Sequence, residues 1–422
     1  MRTTSVGAGL RRPNSEGNVR LRRNVLINWG VSSYFGWGVY GLNLALAWAD
    51  DPDLALVCGV PVNPENLAVD PVRRRALGPF LEKSAQLGAQ LKAMAGQTSV
   101  IRGPMLASLN PGLRMLPTQG VNLSGQPTVA VTFFETALLD EAAVEAASRY
   151  ALIVTGSTWN EQVLRAHGLT NVRTILQGVD PNLFHPAPSA RFGPDRFYVF
   201  SGGKLELRKG QDIALAAFRR FAERHPDAVL VAAWHSPWPQ FARSIDKTGL
   251  AAPVVFGAGG QLDAAAWAAA NGIGPDNFLD AGPTPNPLMP QLYRQMDVGL
   301  FPNRCEGGTN LVAMELMACG VPAILSANSG HLDLIEDDNC YVLTRQGPVP
   351  NEPAAAAHAQ APGWGESDVD EAVELLERAY ADRAEARSRG ERGARTLSRL
   401  TWGETAAQLK TAIFETAAAA GV

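Results

Sequence analysis

Short apolar runs separated by helix-like stretches recur along this chain, and that alternation limits its fold more than any other feature. Asn24–Trp29 is apolar and followed by glycine, which predicts a buried strand. A glycine-rich turn, a helix over Val39–Ala49 and a strand at Leu54–Gly59 follow. Asn63–Gln126 reads as one helix, Arg73–Ala95, among long loops. A strand at Thr128–Phe133, a helix at Asp140–Arg149, a strand at Ala151–Thr155 and a helix at Asn160–His167 come next. The alternation then restarts with a strand at Phe197–Ser201 and a helix at Gln211–His225, whose Ile213, Ala217, Phe218 and Phe221 have helical spacing. Strands at Ala228–Ala233, Val254–Phe256, Asn277–Leu279, Val298–Phe301 and Pro322–Leu325 complete the second half. Strands alternating with helices build an open, mostly parallel sheet covered on both faces. The expected fold is therefore α/β, with two Rossmann-like doubly wound domains facing across a cleft, since ligands bind outside the carboxyl ends of such strands.

The 422 residues are enough for two or three domains. His185–Asp195 holds three prolines and no periodicity, so 186–195 is expected to link an N-terminal domain, 24–185, to a C-terminal one, 196–398. A last helix starts at Thr401 within a terminal segment, 399–422, with Glu404 placed to complete a capping box. Gln346–Gly363 is rich in Pro and Ala and is expected to be a surface loop or insertion. Residues 1–23 carry Arg2, Arg11, Arg12, Arg20, Arg22 and Arg23 against Glu16, which predicts a flexible basic arm. Such an arm is either a solvated tail or a peripheral contact with anionic lipid. The net charge of −4 gives no reason to expect a nucleic-acid partner. Cys58, Cys305, Cys319 and Cys340 form no C-x-x-C pair, which favours buried thiols in a reducing compartment over zinc or disulfides. No signal-like stretch opens the chain and no run approaches about 20 apolar residues, so a cytoplasmic protein without a spanning helix is expected.

Gly36-Trp37-Gly38-Val39-Tyr40-Gly41 matches G-x-G-x-x-G between a strand and a helix. Val31–Phe35 separates it from the strand, and the second strand ends Val57-Cys58-Gly59 without an acidic residue for a ribose. Three readings stay open: a dinucleotide loop, a loop at the cleft near donor or acceptor, and a structural turn. Thr132-Phe133-Phe134-Glu135 also ends a strand, which makes Glu135 a candidate for acceptor or donor.

The densest chemistry lies in Phe301–Gly320. Glu306 follows a strand, and Gly307, Gly308, Thr309, Asn310 and Leu311 lead into a helix. Backbone N–H groups at such a helix start, together with its dipole, attract an anion. Glu315 comes roughly 9 Å along at 1.5 Å per residue, which suits a ribose whose diphosphate sits at the helix start. Leu311, Val312, Met314, Leu316 and Met317 make that helix apolar nearly all round, so Glu315 is expected to be buried and in need of partners. Gly203, Lys204 and Lys209 follow a strand end beside Gly210, where two cations could neutralise a leaving diphosphate. No Asp-x-Asp stands near a strand end, which favours chemistry without a metal.

These segments resemble the retaining nucleotide-sugar glycosyltransferases of family 4, which have the GT-B fold. That family places seven residues between two glutamates, whereas eight separate Glu306 from Glu315; Gly320-Val321-Pro322 matches the turn that follows. Gln177-Gly178-Val179-Asp180 and Phe184-His185-Pro186 resemble the part before the linker, and Ser201–Gly210 the phosphate-binding segment. Where the family usually has arginine this chain has Lys204, and where it has lysine the chain has Lys209. Trp364-Gly365-Glu366 and the Trp402 helix resemble the C-terminal part, where the last helix crosses back to the first domain. The resemblance implies that Glu315 binds ribose, Glu306 contacts the donor sugar, and sugar transfer is metal-independent and retaining. Lys204, Lys209 and Glu306 are then the expected catalytic groups, and Gly36, Trp37, Gly38 and Glu135 the expected cleft-facing ones. The nucleotide sugar is a co-substrate, no other cofactor is expected, and the acceptor is open. A nucleotide-sugar epimerase and an NAD-type oxidoreductase remain as rivals.

Overall fold

The computed structural model describes residues 2–4, 11–13, 19–193, 195–349 and 363–421. The chain divides into two compact units: Met1–Phe134 with Leu139–Gln177 and Trp402–Val422, and Glu135–Leu138 with Gly178–Thr401.

The first unit is built on a six-stranded parallel sheet. Its elements are β1 (Arg23–Ile27), α1 (Gly36–Ala47), β2 (Leu54–Cys58), α2 (Pro71–Ala76), α3 (Gly78–Ala93), β3 (Met105–Ser108), β4 (Thr128–Thr132), α4 (Glu141–Ser148), β5 (Leu152–Thr155), α5 (Thr158–Ala166) and β6 (Val172–Thr174). The strands lie in the order β6-β5-β4-β3-β1-β2. Strand order reverses between β1 and β3. The strands are continuous apolar runs because both faces are covered; all five residues of β2 are buried. Asp140 and Ser157 start α4 and α5 by accepting backbone N–H bonds from Ala143 and Asn160. The last helix packs here. Trp402 stacks on Tyr40 at 5.4 Å, and Lys410 reaches Asp51 and Asp53 at 2.7 and 2.9 Å.

The second unit repeats the architecture with β7 (Phe197–Gly202), α6 (Gln211–Ala222), β8 (Ala228–Ala233), α7 (Ala264–Ala270), β9 (Phe278–Asp280), α8 (Met289–Tyr293), β10 (Val298–Phe301), α9 (Leu311–Ala318), β11 (Ala323–Ser326), β12 (Tyr341–Leu343), α10 (Val369–Ala381) and α11 (Arg383–Leu397). The helix Trp402–Ala419 is α12. The parallel order β9-β8-β7-β10-β11-β12 reverses between β7 and β10. The crevice outside the carboxyl ends of β7 and β10 is therefore the switch point at which open α/β sheets hold ligands.

Several expectations change. β3, Met105–Ser108, sits in the middle of the first sheet within a region read as loops; four residues after Gly103-Pro104 are too few to show a period. Val254–Phe256 is not a strand and contributes only an isolated bridge from Phe256 to Leu262. The basic arm does not extend to residue 23. Arg22 is buried, its guanidinium donating to the Leu54 and Trp48 carbonyls at 2.7 and 2.8 Å, and Arg23 opens β1. Earlier in that segment, Arg2–Thr4 runs parallel to Thr98–Ile101 and Arg11–Pro13 pairs with Val19–Leu21, while 1, 5–10 and 14–18 lie outside the described residues. The unit boundary falls at Gln177–Gly178 and not within 186–195. Phe184 is buried 6.2 Å from Tyr293, Arg294 donates to the Leu183 and His185 carbonyls at 2.9 Å, and Arg191 pairs with Asp297 at 2.8 Å. Those contacts tie the expected linker to the second unit. Most of the expected insertion, 350–362, lies outside the described residues. Among the described residues no helix is long and apolar enough to cross a membrane.

Candidate functional site

The loops after β7 and β10 meet at the switch point of the second unit. After β7, residues 203–210 pass beneath the β10 loop so closely that a Cβ on Gly210 would lie 2.1 Å from the Pro302 carbonyl oxygen. Gly210 also has φ 67°, so only glycine fits on both counts. The two loops are stitched together: the Arg208 carbonyl accepts N–H bonds from Arg304 at 2.7 Å and Cys305 at 3.2 Å. Arg304 is fully buried; it forks onto Asp212 at 2.8 Å on each oxygen and donates to the Leu207 carbonyl at 2.8 Å.

Glu306 stands in this crossing, 3% exposed. Its carboxylate accepts bonds from Lys209 Nζ, from Asn303 Nδ2, and from Arg208 at 2.9 Å. Its own N–H donates to Ser329 Oγ at 2.7 Å, and its carbonyl accepts from Gly330 at 3.0 Å. Burial by itself would push this carboxyl up. Lys209 and Arg208 more than offset it and bring it down to about 2. Arg208 also meets Glu206 at 2.6 Å and Glu135 at 3.3 Å. Burial raises the Glu135 carboxyl despite Arg208. The Glu135 carbonyl is held by Trp364 Nε1 at 2.6 Å.

Glu315 occupies a different setting on α9. It is buried, accepts from Asn286 Nδ2 at 2.5 Å and from the Tyr293 hydroxyl at 3.4 Å, and forms no ion pair among the described residues. Burial pushes it up to about 8, so it is largely protonated at neutral pH. Asn310 begins α9 in the left-handed region, φ 65°, and caps no N–H with its side chain. Its amide donates to His331 Nε2 at 3.0 Å, while His331 Nδ1 faces Ser326 Oγ at 3.0 Å. Burial lowers His331 to about 4, so it stays neutral. Asn310 Oδ1 is buried and has no hydrogen-bond partner among the described residues.

Lys209, Glu306 and Glu135 thus come together, with Arg208 at their centre. Lys204 is not among the cations paired with Glu306. It pairs with Glu206 at 2.7 Å and lies over the Phe241 ring at 4.6 Å. Gly203, φ 106°, precedes it. Gly307, Gly308, Thr309 and Asn310 are all buried, contrary to the open N–H loop expected from sequence, because Ser329 and Gly330 pack onto that loop; Leu311 is half-buried. Gly36, Trp37 and Gly38 belong to the first turn of α1, not to a loop before it. A Cβ on Gly38 would lie 2.7–2.9 Å from Ser32, so this glycine lets α1 rest on the chain after β1. Trp37 joins a ring cluster with Trp29 at 5.2 Å and Phe133 at 4.8 Å. Arg208, Glu206, Asn303 and Asn286 were passed over in the sequence, although Arg208-Lys209 before a glycine places two adjacent cations where an anion site is expected.

Residues 196–360 match the family described as glycosyl transferases group 1. A D-inositol 3-phosphate glycosyltransferase of Acidothermus cellulolyticus is 29% identical over 203 residues, which is 44% of this chain and 41% of the relative. A GDP-mannose-dependent alpha-(1-6)-phosphatidylinositol dimannoside mannosyltransferase of Mycobacterium tuberculosis is 26% identical over 226 residues, 52% of this chain and 51% of the relative. The chain therefore spans about half the length of the curated relatives it matches. Sucrose-phosphate synthase from Thermosynechococcus elongatus superimposes with a TM-score of 0.61 at 19% identity, covering 94% of this chain and 100% of that one. Anabaena HepE, crystallised with UDP and glucose, gives 0.58 at 13% identity over 93% and 99%. At these identities the likeness is one of fold, and the fold is GT-B.

Proposed function

We propose that this chain is a glycosyltransferase that moves a sugar from a nucleotide diphosphate sugar to an acceptor, with retention of configuration and without a metal. The observation that carries the reading is the meeting of Lys209 and Glu306 at the β7–β10 switch point, with Glu315 buried farther along α9. Cations there stabilise charge on a departing diphosphate, the term that dominates such reactions. Glu306, kept ionised, accepts hydroxyls of the donor sugar, and Asn310 Oδ1 is a buried acceptor that a ligand hydroxyl would satisfy. Glu315 accepts the ribose hydroxyls. The leaving diphosphate oxygen takes the acceptor proton on the same face of the sugar, and the protein's part is to position groups and offset charge. Gly203, Gly307, Gly308, Thr309 and Leu311 complete the donor site in this reading. Gly36, Trp37 and Gly38 are assigned to the acceptor side.

The curated relatives' names make GDP-mannose and inositol-type polyols the first donor and acceptor to try, and the UDP complexes of HepE make UDP-sugars the second. A cytoplasmic location, with peripheral contact if the acceptor is a lipid, belongs to the same reading.

A thermal-shift screen with UDP, GDP and ADP tests it. One nucleoside diphosphate should stabilise the protein, by about 2.7 kcal/mol at 100 times its Kd. Its sugar form should release that diphosphate only when acceptor is present, with the rate unchanged in excess EDTA and the product's anomeric configuration matching the donor's. Stabilisation by NADH and by none of the three would contradict it, and donor interconversion without acceptor would point to an epimerase.

A further inference from the structure

We propose that Arg208, and not Lys204, is the second cation that binds the donor diphosphate beside Lys209, and that it does so by exchanging Glu135 for phosphate. The inference rests on the donor-site reading above. Two cations precede Lys209 within five residues, Lys204 and Arg208, and the structure gives them different neighbours. Lys204 is turned to Glu206 at 2.7 Å and to the face of Phe241 at 4.6 Å. Arg208 reaches Glu306, the carboxylate that Lys209 also holds. A guanidinium presents a rigid fork that fits carboxylate and phosphate alike, whereas an ammonium is a point charge. Its backbone is anchored as well, since its carbonyl accepts N–H bonds from Arg304 and Cys305 in the loop that carries Glu306.

Charge balance says what a diphosphate must do on arrival. Among the described residues, ion pairs join three cations, Lys204, Arg208 and Lys209, to three carboxylates, Glu135, Glu206 and Glu306. The cluster is neutral, so a diphosphate added to it leaves negative charge in excess unless a carboxylate withdraws. Of the three on Arg208, Glu135 is at the longest distance, 3.3 Å against 2.6 and 2.9 Å. Its side chain is also the most exposed, 30% against 13% and 4%. Glu206 is further held by Lys204 and Glu306 by Lys209. Glu135 is therefore the group that gives up its place. Its carboxyl faces Arg208, Lys209, Glu206 and Glu306, and its backbone carbonyl faces Trp364 and Cys305.

Calorimetric titration with UDP and GDP, and with uridine and guanosine as references lacking phosphate, tests this on the full chain. Arg208→Ala should weaken the diphosphate about 10- to 100-fold, as expected for a lost charged hydrogen bond. The nucleoside should bind as before. Arg208→Lys should restore part of the loss, and Lys204→Ala should cost less than about fivefold. Glu135→Gln removes the competing carboxylate and should tighten the diphosphate by about two- to fivefold; this variant and Arg208→Lys carry the test if Arg208→Ala does not fold. Unchanged affinity in Arg208→Ala, an equal loss in Lys204→Ala, or weaker binding in Glu135→Gln overturns the proposal. If the unaltered protein binds neither diphosphate, the donor-site reading itself fails.

Discussion

The two sheets of this molecule each have a switch point, and the two are furnished in opposite ways. In the first unit the chain leaving β1 runs into aromatic rings: Trp37 and Tyr40 each lie 4.8–6.1 Å from Trp29, from Phe133 and from each other, and Gly38 serves the approach of α1 to Ser32. In the second unit the chain leaving β7 runs into charge: Arg208 and Lys209 close on Glu306, and Gly210 serves the crossing of two loops. Both junctions are glycine-rich and both feed a helix. What separates them is the side chains the glycines admit. A glycine pattern reports close approach of backbone, and only its neighbours say whether a phosphate or a ring is the reason.

If that contrast is functional, substitutions at the two junctions should fail in different ways. The largest effect belongs to the charged one. Lys209→Ala and Glu306→Gln should each reduce turnover by about 100-fold or more, the usual cost of removing a group that stabilises transition-state charge. Circular dichroism should show a folded protein in both, and turnover within a few-fold of normal would place the chemistry elsewhere. Gly38→Ala should do the reverse. A methyl forced against Ser32 costs about 1–3 kcal/mol of stability, read as a lower denaturation midpoint. Its affinity for nucleoside diphosphate should be unchanged, and a selective loss of nucleotide binding would erase the contrast.

The two glutamates of the second junction sharpen it further through pH. Glu306 is held down to about 2, so its contribution to stability is present above the ordinary carboxylate range and is lost as pH falls toward 2. Glu315 is raised to about 8, so its contribution is full below the ordinary value of 4.5 and is lost as pH rises through 8. Between pH 5 and 9 the Tm of the unaltered protein should therefore fall relative to Glu315→Gln, and no such drift should separate it from Glu306→Gln. Parallel curves for Glu315→Gln would mean that its carboxyl is ordinary. The smallest effect concerns binding. Ribose hydroxyls donating to Glu315 favour its ionised form, so nucleoside affinity should rise by a few-fold from pH 7 to 9, and Glu315→Gln should remove the slope.

Much of the architecture was legible because parallel strands buried on both faces are short apolar runs, as in Ala228–Ala233 and Val298–Phe301. Met105–Ser108 escaped because it is only four residues long, and its place in the sheet comes from partners far along the chain. The burial of Glu315 followed from its apolar neighbours on α9, a local fact that a helical wheel contains. The company of Arg208 did not, since Glu135, Glu206 and Glu306 come from three separate stretches. Lys204 and Lys209 look equivalent in sequence. The crossing at Gly210 and the Glu206–Phe241 side of the loop send them to different partners.

The second junction, and not the first, is proposed to receive the nucleoside diphosphate. Hydrogen exchange read by mass spectrometry, with and without saturating UDP or GDP, distinguishes the two. Added protection is expected in 203–210 and 303–315, with 29–41 exchanging as in the free protein. Protection appearing in 29–41 while 203–210 and 303–315 stay unchanged would contradict it.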